Sequence, residues 1–334
     1  MTERRLFARP GGLAVLSVLL LLAVLLAART GSASMSTAEF FGGLLQRRGF
    51  ETQSRILYAV RLPRVLSAVV AGAGLSASGV LLQSVTGNDL AGPNIIGVNS
   101  GAGLAVMLLL FFAPRAVAAT PFAAFAGAFL TTLLIVSVSA RVGGSKTSVI
   151  LVGIAVSAIL NAGISFLSLL DTDVLASYNY FSVGGLSGVL PRQLMVPAAI
   201  ILVSIGCAWL LAGKIDILGL GDSVATCLGV RVTALRLLCL MLASACASAV
   251  VSFAGLLGFV GLMVPHIARR LCGSATGRLL PVAVLTGSML VVLADLLGRI
   301  VFRPSEVPVG VLLALLGAPF FFWLLLRRNQ HDAL

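Results

Sequence analysis

Asp295 is the carboxylate that most needs a charged partner, because the residues around it in the sequence are apolar. It lies inside an apolar stretch, about two turns before that stretch ends, and Arg299 follows four residues later. An unpaired aspartate at the centre of a spanning helix costs about 2.5–3.5 kcal/mol, whereas residues four apart share one helix face. We therefore predict a structural ion pair between Asp295 and Arg299. The pair is either purely structural or one in which Asp295 holds Arg299 in place at the outer surface.

A second chemical feature is the concentration of arginine between residues 29 and 64. Arg61 and Arg64 flank Pro63, and the same stretch holds four more arginines against only Glu39 and Glu51. With the N-terminus inside and a first span before it, this stretch lies on the outer side. Basic residues favour the cytoplasmic side of membranes, so a basic cluster on the outer side requires a reason. Three remain open: docking of an acidic partner, binding of an anionic ligand, and ordinary solvated loop charge.

The composition indicates that the elements carrying these residues lie in a membrane. Hydrophobic residues make up 59% of the 334 residues and charged residues only 10%, with a mean hydropathy of +1.11. Soluble domains carry about 25% charged residues, so lipid must be the solvent for most of this chain. The net charge of +12 comes from arginines scattered at the ends of apolar stretches, which indicates membrane edges and partner docking rather than nucleic acid. The five cysteines form no CxxC pair and predict neither a metal site nor a disulfide framework.

The apolar stretches predict an all-α polytopic membrane protein in a single domain, residues 1–334. A span needs about 20 apolar residues, and ten such spans place both termini on one side. The excess of basic residues assigns that side to the cytoplasm. The first span, about 13–28, has a cleaved signal peptide as its alternative. The predicted spans are 13–28, 65–85, 95–112, 119–140, 147–170, 193–212, 232–253, 255–271, 279–302 and 308–326.

Two stretches depart from the pattern of plain spans. The inner connection, about 214–231, is too polar to span. In it we predict a short helix with Asp222 as N-cap and Gly229 as a left-handed terminator. Such a helix suits coupling to a cytoplasmic partner, and a plain amphipathic connector is the alternative. In residues 254–270, three glycines and Pro265 predict a bent or broken helix.

These motifs together resemble the FecCD-type permease family, the membrane subunits of type II ABC importers for iron–siderophores, haem and cobalamin. The resemblance covers about residues 55 to 328. It rests on Arg61-Leu62-Pro63-Arg64, Gln83, NDLAGPNIIG at 88–97, Gly221-Asp222, LGVR at 228–231, GFVGL at 258–262, VPHIAR at 264–269, Ala294-Asp295, Pro308-Val309-Gly310 and Gly317-Ala318-Pro319-Phe320.

The resemblance implies a complex and a set of site residues. Ten-span permease subunits would pair as a homodimer or with a close paralogue, above two cytoplasmic ATPases and below an extracytoplasmic substrate-binding protein. The implied sites are docking of the binding protein at Arg61, Arg64 and Arg299; a cytoplasmic gate at Asn88, Asp89, Leu90 and Ala91; ATPase coupling at Leu218, Gly221, Asp222, Leu228 and Gly229; and a pathway lined by Asn161, Ser165 and Ser168.

The gate loop departs from the family pattern at two positions. Asp89 stands where the family usually has proline, and Gly92 where an acidic or polar residue is common. An aspartate side chain can still shape a turn, but it also adds a negative charge near the gate.

The expected function is therefore that of an importer permease and not of an enzyme. The chain lacks the GxxxxGK spacing of a phosphate loop, so ATP and Mg²⁺ are expected on a partner ATPase and this chain is expected to hold no cofactor. We predict a bacterial cytoplasmic-membrane permease for an iron–siderophore, with cobalamin or haem as alternative substrates. A secondary transporter is the rival class, although such proteins usually carry several intramembrane ionisable residues.

Overall fold

The computed structural model describes residues 10–31, 35–143, 145–301 and 305–329, and the longer elements in these residues are all α-helices. A π-helical turn, Leu57–Arg61, joins the third helix to the fourth without a break. The α-helices are α1 Pro10–Arg29, α2 Thr37–Leu44, α3 Glu51–Ile56, α4 Leu62–Thr86, α5 Val98–Phe112, α6 Thr120–Arg141, α7 Lys146–Leu170, α8 Thr172–Val183, α9 Pro191–Leu210, α10 Ala212–Leu218, α11 Asp222–Cys227, α12 Val232–Ala254, α13 Val260–Cys272, α14 Thr276–Ile300 and α15 Val309–Asn329.

Within the described residues, seven helical segments are long and apolar enough to cross a membrane. Two shorter apolar helices, Val98–Phe112 and Val309–Phe322, accompany them. The architecture is therefore the all-helical membrane fold that the composition predicts. The seven segments are Gly11–Arg29, Glu51–Thr86, Val117–Arg141, Thr147–Leu170, Pro191–Leu210, Val232–Ala254 and Thr276–Ile300.

The predicted span 255–271 is shorter in the structure. Residues 255–259 are not helical, and α13 begins only at Val260. The cause is local, because Gly255 and Phe259 have φ values of 69° and 64°. A residue in this left-handed region cannot continue a right-handed helix. The predicted break thus lies at the start of the stretch, and a helix of 13 residues remains.

The helices meet at two ends of the bundle. We call the first end the region where α1, α4 and α14 meet around residues 27–30, 61–64 and 295–307. The second end comprises residues 86–94, 209–231 and 269–277. Helices α4 and α14 run antiparallel between these ends, since Arg64 contacts Asp295 and Val69 contacts Ser288.

Small residues bring α4 unusually close to its neighbours. A β-carbon on Gly72 would lie 2.2 Å from the Gly287 carbonyl oxygen of α14, and one on Gly79 would lie 1.8 Å from the Gly261 carbonyl oxygen of α13. In lipid, such close backbone approach replaces the hydrophobic effect as a source of helix association. Gly72 and Ser76, small residues four apart on α4, both lie close to Gly287 and form part of the α4–α14 interface.

Candidate functional site

The polar loop after α4 forms a compact turn at the second end. Gly87, with φ 62°, ends α4 in the left-handed conformation. The Asn88 side-chain oxygen accepts the Leu90 N–H at 2.9 Å, and its backbone oxygen accepts the Ala91 N–H at 3.0 Å. Because these bonds satisfy the loop's own backbone, the predicted gate residues Asn88 to Ala91 have a defined conformation. Ala91 is buried, whereas Asp89 is exposed.

Gln83 connects this loop to the broken helix. Its buried Nε2 lies 3.3 Å from the carbonyl oxygens of Ala91 and Leu262 and donates to both. Pro93 also packs against this region, 3.0 Å from a β-carbon built on Gly261. The loop is therefore seated on the start of α13. Sequence reasoning assigned no role to Gln83, although a glutamine inside an apolar stretch is a signal for a buried hydrogen bond.

Asp89 has a specific partner in α13. Its Oδ1 lies 3.0 Å from Nη1 of Arg269, which is largely buried, while Asp89 itself remains mostly exposed. The substitution of the family's usual proline by aspartate therefore adds an ion pair between the loop and α13. This contact gives Asp89 the structural role that the sequence left open.

The first end contains a buried cluster of charged side chains. Asp295 contacts Arg299 (Oδ2 to Nε, 3.1 Å), which is the predicted pair, and also Arg64 (Oδ1 to Nη2, 2.9 Å). Arg64 in turn contacts Glu306 (Nη1 to Oε2, 2.6 Å). Asp295 thus holds two arginines from two helices, and the contact with Arg64 joins residues too distant in the sequence to be predicted.

Arg61, Arg64 and Arg299, the residues implied for docking of a binding protein, are buried within the chain. Their exposed fractions are 4%, 9% and 2%. Arg299 Nη1 donates to the carbonyl oxygens of Ala27 and Thr30 at 3.1 and 3.0 Å.

Arg61, the last residue of the π-helical turn before α4, makes the same kind of contact. Its Nη1 donates to the carbonyl oxygens of Ala28 and Arg29. The carbonyl groups at the C-terminal end of a helix have no hydrogen-bond partner within it. Cations at this end also interact favourably with the negative pole of the helix dipole. Arg61 and Arg299 can be buried because the end of α1 supplies these acceptors.

The connection between α9 and α12 contains two short helices, α10 and α11. The exposed side chains of Leu220, Val224 and Leu228 form an apolar surface on it. Gly221 and Gly229 have positive φ values of 106° and 79°, so Gly229 has the predicted left-handed conformation.

One prediction about the α10–α11 connection, the N-cap role of Asp222, is wrong. Leu218, implied as a coupling residue, is 1% exposed and packs in the core. Asp222 is the first residue of α11, whose N-cap is Gly221 and which has no side-chain cap. Its carboxylate accepts instead from Nη2 of Arg236, at 2.8 and 2.9 Å. A buried arginine competes better for this carboxylate than the helix N–H groups do, since a buried charge requires a counter-charge.

Helix α7 carries the predicted pathway residues. Asn161 and Ser165 are exposed and one helical turn apart, so they share a face. Ser168 is half-buried and donates its hydroxyl to the Ile164 carbonyl oxygen at 2.8 Å. Only 11% of the most apolar stretch of α7 is buried inside the chain. The structure thus leaves an exposed polar pair on a helix with little cover. Among the described residues, no three His, Cys, Asp or Glu side chains form a group that could hold a metal.

Comparison with known proteins identifies this arrangement. The model of the FecCD transport family matches residues 19–327. The chain belongs to the FecCD transport family. It is therefore a membrane transport protein, as the motifs at residues 61–64, 88–97 and 264–269 indicate.

Relatives of the FecCD chain cover most of its length. The Fe(3+)-citrate import system permease protein YfmE of Bacillus subtilis is 39% identical over 81% of each chain. The hemin transport system permease protein HmuU of Yersinia pestis is 36% identical over 95% of this chain and 96% of its own. The vitamin B12 import system permease protein BtuC of Vibrio cholerae is 35% identical over 84% and 85%.

A solved structure matches the fold of the FecCD chain. It is described as an inward-facing conformation of a metal-chelate type ABC transporter. It has a TM-score of 0.85 and 29% identity, and the match covers 96% of this chain and 100% of the solved one.

Proposed function

We propose that this chain is the permease subunit of an ATP-driven ABC importer that carries an iron–siderophore across the cytoplasmic membrane of a bacterium. The observation that carries the proposal is family membership over residues 19–327, together with relatives named as import permeases for iron citrate, hemin and vitamin B12. Haem and cobalamin remain the alternative substrates.

The proposed topology has about ten spans. It adds α5, α13 and α15 to the seven long segments, with the first end extracytoplasmic and the second end cytoplasmic. Two features support this assignment. Helix α1 ends at the first end and α15 begins there, so both described termini, Pro10 and Asn329, would lie on the cytoplasmic side. Arg269 and Arg270 lie at the second end, as the preference of basic residues for the cytoplasm favours.

The proposed mechanism is alternating access controlled at the second end. The exposed apolar side chains of Leu220, Val224 and Leu228 would receive the ATPase, which binds ATP and Mg²⁺. The loop at Asn88–Ala91 would act as the gate, because it lies at the same end and is seated on α13. A second permease subunit would cover α7, and the exposed Asn161 and Ser165 would then face the pathway.

A binding protein would dock at the first end. Arg61, Arg64 and Arg299 are the proposed sites for its acidic groups, but internal acceptors hold them in the present conformation. Glu306 already makes the contact that an acidic partner would make with Arg64. Docking would therefore exchange internal acceptors for external ones.

The rival function, a secondary transporter, is disfavoured by the state of Asp295. This carboxylate is 2% exposed and contacts both Arg64 and Arg299. A coupling carboxylate in such a transporter must bind and release a cation or proton during each cycle, whereas the contacts of Asp295 are already made by two guanidinium groups.

Reconstitution tests the proposed function. The chain, purified together with an ATPase subunit and a binding protein from its own organism, is placed in liposomes with ferric citrate, a ferric hydroxamate, haemin or cyanocobalamin. We expect uptake of one ferric siderophore that requires ATP and both partners. Uptake at full rate by the chain alone would overturn the proposal in favour of a secondary transporter or channel.

A further inference from the structure

Helices α9 and α10 are held to the first turn of α14 by one hydrogen bond each. Asp216 of α10 accepts the Thr276 N–H with its Oδ1 at 2.8 Å. Trp209 donates its indole N–H to the Gly277 carbonyl oxygen at 3.1 Å. The first N–H groups of a helix have no partner within it, so Asp216 satisfies one that α14 cannot. The N-terminal end of α14 is thereby attached to α10.

A separate attachment joins α11 to α12. Arg236, near the start of α12, is 4% exposed, and its Nη2 contacts both carboxylate oxygens of Asp222 at 2.8 and 2.9 Å. Removing one partner of a buried ion pair is strongly unfavourable, because the remaining charge has lost its water and its counter-ion. Asp222 is half exposed, so this pair connects the protein interior with the surface that carries Val224 and Leu228.

The two helices to which α10 and α11 are attached, α14 and α12, both pack against α4. Helix α14 approaches α4 at Gly72 and Gly287, and α12 approaches α4 where Val250 contacts Gly74. Helix α4 ends at the loop that holds Asn88 and Asp89. The packed interfaces cannot deform continuously, so a displacement of α10 or α11 moves the ends of α14 or α12 against α4.

We propose that Asp216, Asp222 and Arg236 are positioning residues that transmit movement of the α10–α11 connection to α14 and α12, and thereby to the gate loop. Asp216 acts on α14, and the Asp222–Arg236 pair acts on α12. The inference rests on the proposed function, in which an ATPase moves this connection. It adds the residues through which that movement reaches the membrane helices.

Hydrogen exchange on the purified chain in detergent tests the two attachments. Losing a hydrogen bond to a charged group corresponds to a change in local opening of about tenfold. We expect Asp222→Asn to raise amide exchange about that much in residues 222–229 while leaving 276–279 unchanged. Asp216→Asn should do the reverse. Asp173→Asn, in the first turn of α8, is the matched control and should change neither segment. Equal exchange in all variants would overturn the attachments.

Uptake per ATP hydrolysed, in the reconstituted complex described above, tests transmission. We expect Asp216→Asn to keep the ATPase bound and hydrolysing while uptake per ATP falls by about fivefold or more. Asp222→Asn should lower the same ratio, Asp222→Glu should restore most of it, and Asp222→Asn combined with Arg236→Gln should be no worse than Asp222→Asn alone.

The outcomes separate this inference from the proposed function. If Asp222→Asn and Asp216→Asn keep the wild-type uptake per ATP hydrolysed, the proposal that these residues transmit movement to α12 and α14 is wrong. Loss of ATPase binding in these variants would also overturn it, in favour of a docking role. A wild-type chain that binds no ATPase would instead refute the proposed function, and the exchange results would be unaffected.

Discussion

Asp295 neutralises two arginines at once, so its replacement tests the buried cluster at the first end. Asp295→Asn leaves Arg64 and Arg299 buried beside each other with a neutral amide. Breaking a buried ion pair in this way costs about 3–5 kcal/mol. We expect a loss of unfolding free energy of that order, measured by denaturant titration in detergent. The control Asp173→Asn, at an exposed position, should change stability little. A stable Asp295→Asn variant would show that the cluster is not required for the fold.

Glu306 allows the docking proposal to be tested at a single contact. It holds Nη1 of Arg64 and remains partly exposed, so the pair is worth only about 0.2–1 kcal/mol. Because Glu306→Gln weakens the internal competitor, we expect the binding protein to bind up to about fivefold more tightly. Titration of that protein onto the permease in nanodiscs measures this. Weaker binding would show that Glu306 is itself part of the docking surface.

Asp89 adds an ion pair that the usual proline cannot make. The contact with Arg269 is partly solvated, so its contribution is about 0.2–1 kcal/mol and is screened by salt. We expect Asp89→Asn to raise amide exchange in residues 88–91 by up to about fivefold. High salt should raise exchange in the wild type towards the same value and have little effect on the variant. Equal salt dependence in both proteins would contradict the role of the pair.

At the scale of the helix, sequence patterns predicted which long helices exist better than they predicted helix boundaries and capping residues. Hydropathy places every long helix because the membrane imposes a length and a composition on each span. A break within residues 254–270 was predicted, but the start of α13 at Val260 was not, because a left-handed Phe259 has no sequence signal, unlike a glycine. Asp222 was assigned to a cap because local patterns do not include Arg236, the competing partner on the next long helix.

The residues of the first end show the same limit more strongly. The Asp295–Arg299 pair follows from helix periodicity and was predicted. The burial of Arg61 and Arg299 depends on where the end of α1 lies, since the acceptors are carbonyl groups of residues 27–30. Backbone acceptors are present at every residue, so the sequence gives no signal for them.

The α4–α13 interface predicts a sharp response to one methyl group. A β-carbon on Gly79 would lie 1.8 Å from the Gly261 carbonyl oxygen, whereas one on Gly206 of α9 meets nothing within 4 Å. Both substitutions by alanine gain about 1 kcal/mol of helix propensity, which makes Gly206→Ala a matched control. We expect Gly79→Ala to lose about 1–3 kcal/mol of unfolding free energy through overpacking, and Gly206→Ala to lose none. Equal stabilities would contradict the close approach.

At the scale of the whole molecule, the exposed face of α7 requires a cover other than lipid. Asn161 and Ser165 lie exposed on a helix with little burial inside the chain. Polar side chains within spans almost always face a bundle interior or a water-filled cavity, because lipid offers them no hydrogen bonds. A second permease subunit packed near α7 would enclose them in a central pathway, as the proposed function requires.

Cross-linking tests this arrangement in membranes. Val203 on α9 is 65% exposed and has an apolar neighbourhood that suits lipid, so it serves as the control position. With the five native cysteines replaced by serine or alanine, Ser165→Cys should form a covalent dimer, either with another copy or with the paralogue that copurifies. Val203→Cys should not. Water-soluble maleimide should reach Ser165→Cys in the absence of cross-linker, because a pathway residue contacts water. If Ser165→Cys instead stays monomeric and reacts only with lipid-soluble reagents, α7 faces the bilayer, and the pathway must be assigned to another helix.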